Sequence, residues 1–82
     1  MDSDVITLDK LPIGQIGYVE SLLSKGSERR RMLDLGVVNN TKIEALYRSP
    51  VGDPTAYFIR GAVIALRNDD AKKINVSYRG KF

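Results

Sequence analysis

Arg29, Arg30 and Arg31 stand side by side in the densest charge cluster of this 82-residue sequence, and they are its clearest offer to an anionic partner. A guanidinium supplies fixed charge and planar hydrogen-bond donors, but neither a base nor a nucleophile. The groups that usually complete a catalytic site are missing, because the sequence contains no histidine and no cysteine. That removes the commonest general base, the best nucleophile and the two preferred transition-metal ligands. The carboxylates Asp53, Asp69 and Asp70 are scattered, and Asp69 and Asp70 more simply begin a helical turn. A Ser/Lys or carboxylate mechanism survives on paper, yet a domain this small hardly encloses a pocket of the usual few hundred cubic ångströms. The expectation is a binding protein with no catalytic residue, no cofactor and no metal site.

A second constellation lies between Thr55 and Arg67, an apolar run divided by Gly61. A glycine in first place of a two-residue turn suits type II′, which predicts a hairpin turning at Gly61-Ala62. Arg60 then opposes Val63, Ile59 opposes Ile64, Phe58 opposes Ala65 and Tyr57 opposes Leu66, and opposed residues share a face. One face becomes Tyr57, Ile59, Ile64 and Leu66, which reads as core. The other becomes Phe58, Arg60, Val63, Ala65 and Arg67, apolar in the middle with arginine at its ends. Such a patch suits a protein partner. If instead both faces of strongly bent strands meet the core of a small barrel, Phe58 is buried. The binding surface is then sought at the arginine-bearing helix and the Ser49–Pro54 loop.

The arginines need a helix to hold them, and the segment has both end signals. Ser27 suits an N-cap, Glu28 favours the positive end of the dipole, and Gly36 suits the left-handed C′ position. These predict a helix at about 28–35, with Met32 and Leu35 as buried anchors and Val37 closing the cap. Its residues turn about 100° each, so the three arginines cannot share one face. Arg29 and Arg30 are candidate partner contacts, the competing reading being a solvated face paired locally with Glu28 or Asp34. Cations in the first half of a helix are disfavoured by the dipole, so helix energetics do not account for them.

The remaining elements are strands. Residues 5–17 carry Pro12 and two glycines and read as a lead-in over the core. Tyr18–Leu23 is the first strand. Ile43, Ala45 and Tyr47 alternate with Lys42, Glu44, Leu46 and Arg48 as a half-buried strand after an Asn39-Asn40 turn. The Ser49–Pro54 loop joins it to the hairpin. Asn68-Asp69-Asp70-Ala71 caps a helical turn, Ile74, Val76 and Tyr78 form the last strand, and Gly80–Phe82 read as an end free to fray. The sum is a single mainly β domain, an antiparallel sheet of about five strands curled into a small open barrel, with one short helix after the first strand.

Composition agrees: 43% hydrophobic and 28% charged residues lie near the globular average, and a net charge of +3 falls short of the dense basic face of nucleic-acid binders. An RNA reading rests on Phe58 as the clearest stacking platform, since the other aromatics fall largely on predicted core faces. Without cysteine, a reducing cytoplasm fits best. The acidic start Met1-Asp-Ser-Asp4 and the lack of a long apolar run predict a chain neither exported nor inserted in a membrane.

The sequence resembles the ferrous iron transport protein A family, FeoA. The resemblance runs through Arg30-Arg31-Met32-Leu33-Asp34-Leu35-Gly36-Val37, then Ser49–Pro54, then Ile59-Arg60-Gly61 with Ile64-Ala65-Leu66-Arg67, then Ala71, Ile74 and Val76. It spans about residues 7–78, with Asn39-Asn40 standing where the family usually has Pro-Gly. It implies an SH3-like barrel, a cytoplasmic accessory role in ferrous iron uptake, and a partner in the cytoplasmic part of the FeoB permease, which carries a GTP-hydrolysing G domain. An arginine finger among Arg29–Arg31 completing that GTPase is conceivable. Ala45-Leu46-Tyr47 matches the start of a eukaryotic SH3 peptide-binding signature, but no tryptophan is present to build a polyproline groove.

Overall fold

A computed structural model describes residues 4–78. Strand β1 (Asp4–Thr7) leads through a 3₁₀ turn (Leu8–Lys10) to β2 (Ile16–Leu22), helix α1 (Gly26–Asp34), β3 (Lys42–Arg48), β4 (Thr55–Ile59), β5 (Ala62–Leu66), the one-turn helix α2 (Asn68–Ala71) and β6 (Ile74–Tyr78). The six strands form one antiparallel sheet in the order β1-β6-β2-β3-β4-β5. The sheet curls so that alternate residues, among them Val19, Ile43, Ala45, Tyr57, Ile59 and Val76, face one core. Leu8, Leu11, Met32 and Val37 close that core from the 3₁₀ turn, its exit, α1 and the segment just after α1, and α2 packs against the 3₁₀ turn.

Several expectations change. The lead-in contains a strand, β1, whose Asp4–Thr7 pair with Asn75–Tyr78 of β6, giving six strands and placing the helix after the second. The helix begins earlier than Ser27 would set it. Lys25 occupies the N-cap, its carbonyl accepts the Arg29 N–H at 3.4 Å, and no side chain caps the end. In β3 an extra residue intervenes between Ala45 and Tyr47, so Ala45 pairs with Tyr57 and Tyr47 with Ala56. A bulge of this kind reverses the alternation beyond it and turns Tyr47 outward.

The fourth change is the hairpin register. Ile59 pairs with Ala62, Phe58 with Val63, Tyr57 with Ile64, Ala56 with Ala65 and Thr55 with Leu66. The turn is therefore Arg60-Gly61, with φ of 50° and 84°. Two positive φ values define the type I′ turn, whose twist matches the strands, and Gly61 serves as its second residue. Relative to the expected pairing the register moves by two residues, so the side chains of both strands keep their faces, while Arg60, expected opposite Val63 on the outer face, lies in the turn.

The C-terminal end of α1 follows its sequence signals. Gly36 takes φ of 93°, the Val37 N–H donates to Met32 O at 3.0 Å and the Gly36 N–H to Leu33 O at 3.0 Å. This is a Schellman motif, which satisfies carbonyls the helix end leaves open. Met32 and Val37 are buried as expected, whereas Leu35 is half-buried at the C-cap. Asn40 adopts the left-handed conformation its turn requires, at φ of 70°. The reading of Gly80–Phe82 as a fraying end lies outside the described residues.

Candidate protein-binding surface

The surface is built from the outward positions of four neighbouring strands. Pairing sets Ile16 of β2 opposite Glu44 of β3, Glu44 opposite Phe58 of β4, and Phe58 opposite Val63 of β5. A second row runs Tyr47, Ala56, Ala65. Opposed side chains on one face lie about 4.5–5.5 Å apart at Cβ, so these rows form a continuous surface. Ile16 is 39% exposed, Phe58 41%, Val63 57% and Tyr47 60%. Ala56, between Tyr47 and Ala65, is buried, and Glu44 is the one charged side chain in the two rows.

This arrangement brings together Phe58, Val63 and Ala65 and adds Ile16 and Tyr47, which the sequence reading left out. Ile16 lay in the segment read as a lead-in, and no local signal marks the bulge that turns Tyr47 out. The two arginines do not rim the face as the expected register placed them. Arg60 sits in the turn, and its stem lies over Gly36 at the end of α1, filling the space a side chain there would need. Arg67 follows β5 as the exposed N-cap of α2.

The arginines of α1 make their contacts elsewhere. Arg29 donates to Leu22 O at 3.3 Å, and Arg31 pairs with Asp70 at 3.4 Å, both at the surface. Arg30 is exposed and makes no hydrogen bond or ion pair among the described residues. Glu28 of the same helix accepts from Lys73 Nζ at 3.0 Å, and that bond and charge hold the Lys73 ammonium above its ordinary pKa. Arg29 also lines an open groove of about 350 Å³ between α1 and β2, with Val19, Leu22, Leu33, Val37 and Val38. None of these contacts reaches the rows around Phe58.

The scattered carboxylates have structural work. Asp53 Oδ1 accepts the Asn68 N–H at 2.9 Å, tying the β3–β4 loop to the start of α2, and Asp70 holds Arg31. Among the described residues no three acidic side chains gather where they could hold a metal ion. Directly behind the exposed face Tyr57 is buried, its hydroxyl donating to Leu8 O at 3.4 Å. Burial pushes its phenol above the usual value, against a smaller opposing effect of a hydrogen bond with Thr55. The surface has no nucleophile or base with a partner aimed at a pocket. Its physical capacity is docking: an apolar face that loses water when covered.

Comparison with known proteins gives a consistent picture. Residues 6–78 match the FeoA domain family. Over 69 residues, 84% of this chain, the sequence is 32% identical to an Fe(2+) transport protein A/Fe(2+) transporter FeoB fusion protein of Porphyromonas gingivalis, of whose length the match covers 8%. The fold superposes with a TM-score of 0.87 on the FeoA-like protein of Clostridium acetobutylicum, at 30% identity over 100% of this chain and 94% of that one. It superposes with a TM-score of 0.77 on Stenotrophomonas maltophilia FeoA, a prokaryotic SH3 domain protein solved with zinc, at 29% identity over 87% and 88% of the two chains.

Proposed function

The chain belongs to the FeoA domain family, and from that premise we propose that it is a non-catalytic accessory protein of ferrous iron uptake that docks on the cytoplasmic part of a FeoB-type permease. The family ties it to ferrous iron transport, and the Porphyromonas gingivalis relative joins an FeoA unit and a FeoB transporter in one chain. Fusion of this kind is what two separately encoded partners resemble when their association is made permanent. The observation that carries the docking role is the exposed apolar surface of Ile16, Tyr47, Phe58 and Val63 on the side of the sheet away from the core. Single exposed apolar residues are ordinary, but neighbours such as Phe58 and Val63, directly opposed on one face, are characteristic of interaction sites. An RNA-binding role is less well supported, since the two rows carry Glu44 and no cation. No helix among the described residues is long and apolar enough to cross a membrane, so the reading places the chain at the membrane only through its partner.

The test is direct binding of the purified cytoplasmic region of the permease. Phe58→Ser is expected to lower affinity at least tenfold while leaving the melting temperature close to that of the parent, and Arg29→Ala to do much less. A folded Phe58→Ser protein with unchanged affinity removes the face from consideration. A larger loss for Arg29→Ala moves the site to α1.

A further inference from the structure

Among the described residues the sheet ends at β5, whose far edge has no neighbouring strand. The register tells which backbone groups that edge presents. Ile59 and Ala62 flank a two-residue turn and therefore exchange both of their hydrogen bonds. Alternation makes Tyr57 with Ile64 and Thr55 with Leu66 bonded pairs as well. Val63 and Ala65 consequently direct N–H and C=O away from β4, and neither makes a backbone hydrogen bond elsewhere among the described residues. Their side chains belong to the exposed apolar surface, so the free edge and the face adjoin.

Natural edges are usually blunted by a charge, a proline or a bulge. Ala62–Leu66 has none of these, and its pairing with β4 runs without a shift. At the other edge β1 carries Asp4 in the strand itself. The charge around β5 lies at its two ends, Arg60 before it and Arg67 after it, both exposed and neither in an ion pair among the described residues.

We propose that β5 receives an extended segment of the permease's cytoplasmic part as a seventh strand, apolar at its centre and carrying carboxylates at its ends. The proposal rests on the docking function above and names the form of the bound segment. Hydrogen bonds to Val63 and Ala65 fix its register, alternate side chains extend the surface of Phe58 and Val63, and its acidic ends meet Arg60 and Arg67. A second copy of this chain fits less well. Pairing Val63 with Ala65 of the other copy sets Arg67 opposite the other copy's Gly61 and beside its Arg60, at both ends of the ribbon.

The edge N–H groups take no part in the hairpin, so proline at these positions removes the donors that Val63 and Ala65 offer to the incoming strand's carbonyls and leaves the β4–β5 bonds intact. Against the purified cytoplasmic region of the permease, Val63→Pro and Ala65→Pro are each expected to lower affinity at least tenfold, and Val63→Thr, which gives up apolar contact but keeps the N–H, to lower it less than Val63→Pro. Arg67→Glu is expected to weaken binding several-fold at low salt and less at high salt. In the complex, hydrogen exchange at the Val63 and Ala65 amides should slow at least tenfold in the unaltered protein, a readout that does not depend on the proline variants folding. If the protein binds but these two amides exchange at their free rate, strand addition is wrong and the docking function stands. Absence of any binding removes both. Slow exchange at these amides in a dimer of the protein alone assigns the edge to a second copy and overturns the proposal.

Discussion

The β4–β5 hairpin has two faces made from the same two short strands, and they serve different ends. On the inner face Tyr57, Ile59 and Leu66 are fully enclosed by the core, while on the outer face Phe58 and Val63 remain open to water. Hydrophobicity alone does not separate them, since Phe58 is as apolar as anything inside. What separates them is whether another element of the chain covers the face. Met32, Val37 and Leu8 belong to the same core as the inner residues, whereas among the described residues no strand or helix is laid over Phe58 and Val63. An apolar side chain that the fold does not cover gains its burial energy only from a partner.

The sharpest way to break this comparison is to cut the same hairpin on its inner face. Leu66→Ala removes a fully buried side chain among closely packed neighbours and is expected to cost about 2–5 kcal/mol, read from urea or thermal unfolding. Phe58→Ser on the outer face should cost far less. If the two variants lose similar stability, Phe58 is a core residue and the two-face description fails.

A smaller effect is expected at Gly36, and it sharpens the assignment of Arg60. Gly36 holds φ of 93°, and a Cβ there would collide with Cδ of the Arg60 side chain. Gly36→Ala should therefore cost about 1–3 kcal/mol in unfolding experiments, combining left-handed strain with the steric conflict. Adding Arg60→Ala should restore only the steric part. Full recovery would mean that the backbone conformation carries no strain, and no recovery would remove Arg60 from the end of α1.

These contrasts also show what the sequence made legible. Gly36 and Val37 announced the Schellman end of α1 because that motif is local. The faces of the hairpin were legible for a related reason: alternation has period 2, so the actual turn, two residues away in register, left the strand side chains on their expected sides and displaced only Arg60 into the turn. The type of turn was not legible, because Gly61 suits the first place of II′ and the second of I′ equally, and the latter puts Arg60 in a left-handed conformation unusual for a non-glycine residue. The strand β1 was hidden because its partner β6 lies at the other end of the chain. The candidate surface was half legible. Phe58, Val63 and Ala65 followed from alternation, whereas Tyr47 depended on a bulge and Ile16 on a strand start for which the sequence offers no local mark.

The mildest perturbation of the comparison is a proton. Tyr57 on the inner face holds its phenol above the ordinary value of 10.0 because burial disfavours the phenolate, against a smaller lowering effect of a hydrogen bond with Thr55. Below that value both folded and unfolded chains keep the proton, and the group contributes no pH dependence. Above it the unfolded chain ionises while the folded chain stays protonated, so the folded state binds more protons and stability falls as pH rises. Lys73 acts in the same direction, since Glu28 raises its folded pKa above 10.5 and the stability this gives is lost as pH rises through that folded value. Unfolding midpoints in urea measured from about pH 9 to 11.5 should therefore decline, and Tyr57→Phe should flatten part of that decline while leaving the contribution of Lys73. The replacement also deletes the hydrogen bond to Leu8 O, so stability at pH 7 changes by an offset that the slope does not share. If Tyr57→Phe leaves the slope of the decline unchanged, burial does not hold this phenol protonated, and the inner face is no more closed to water than the outer.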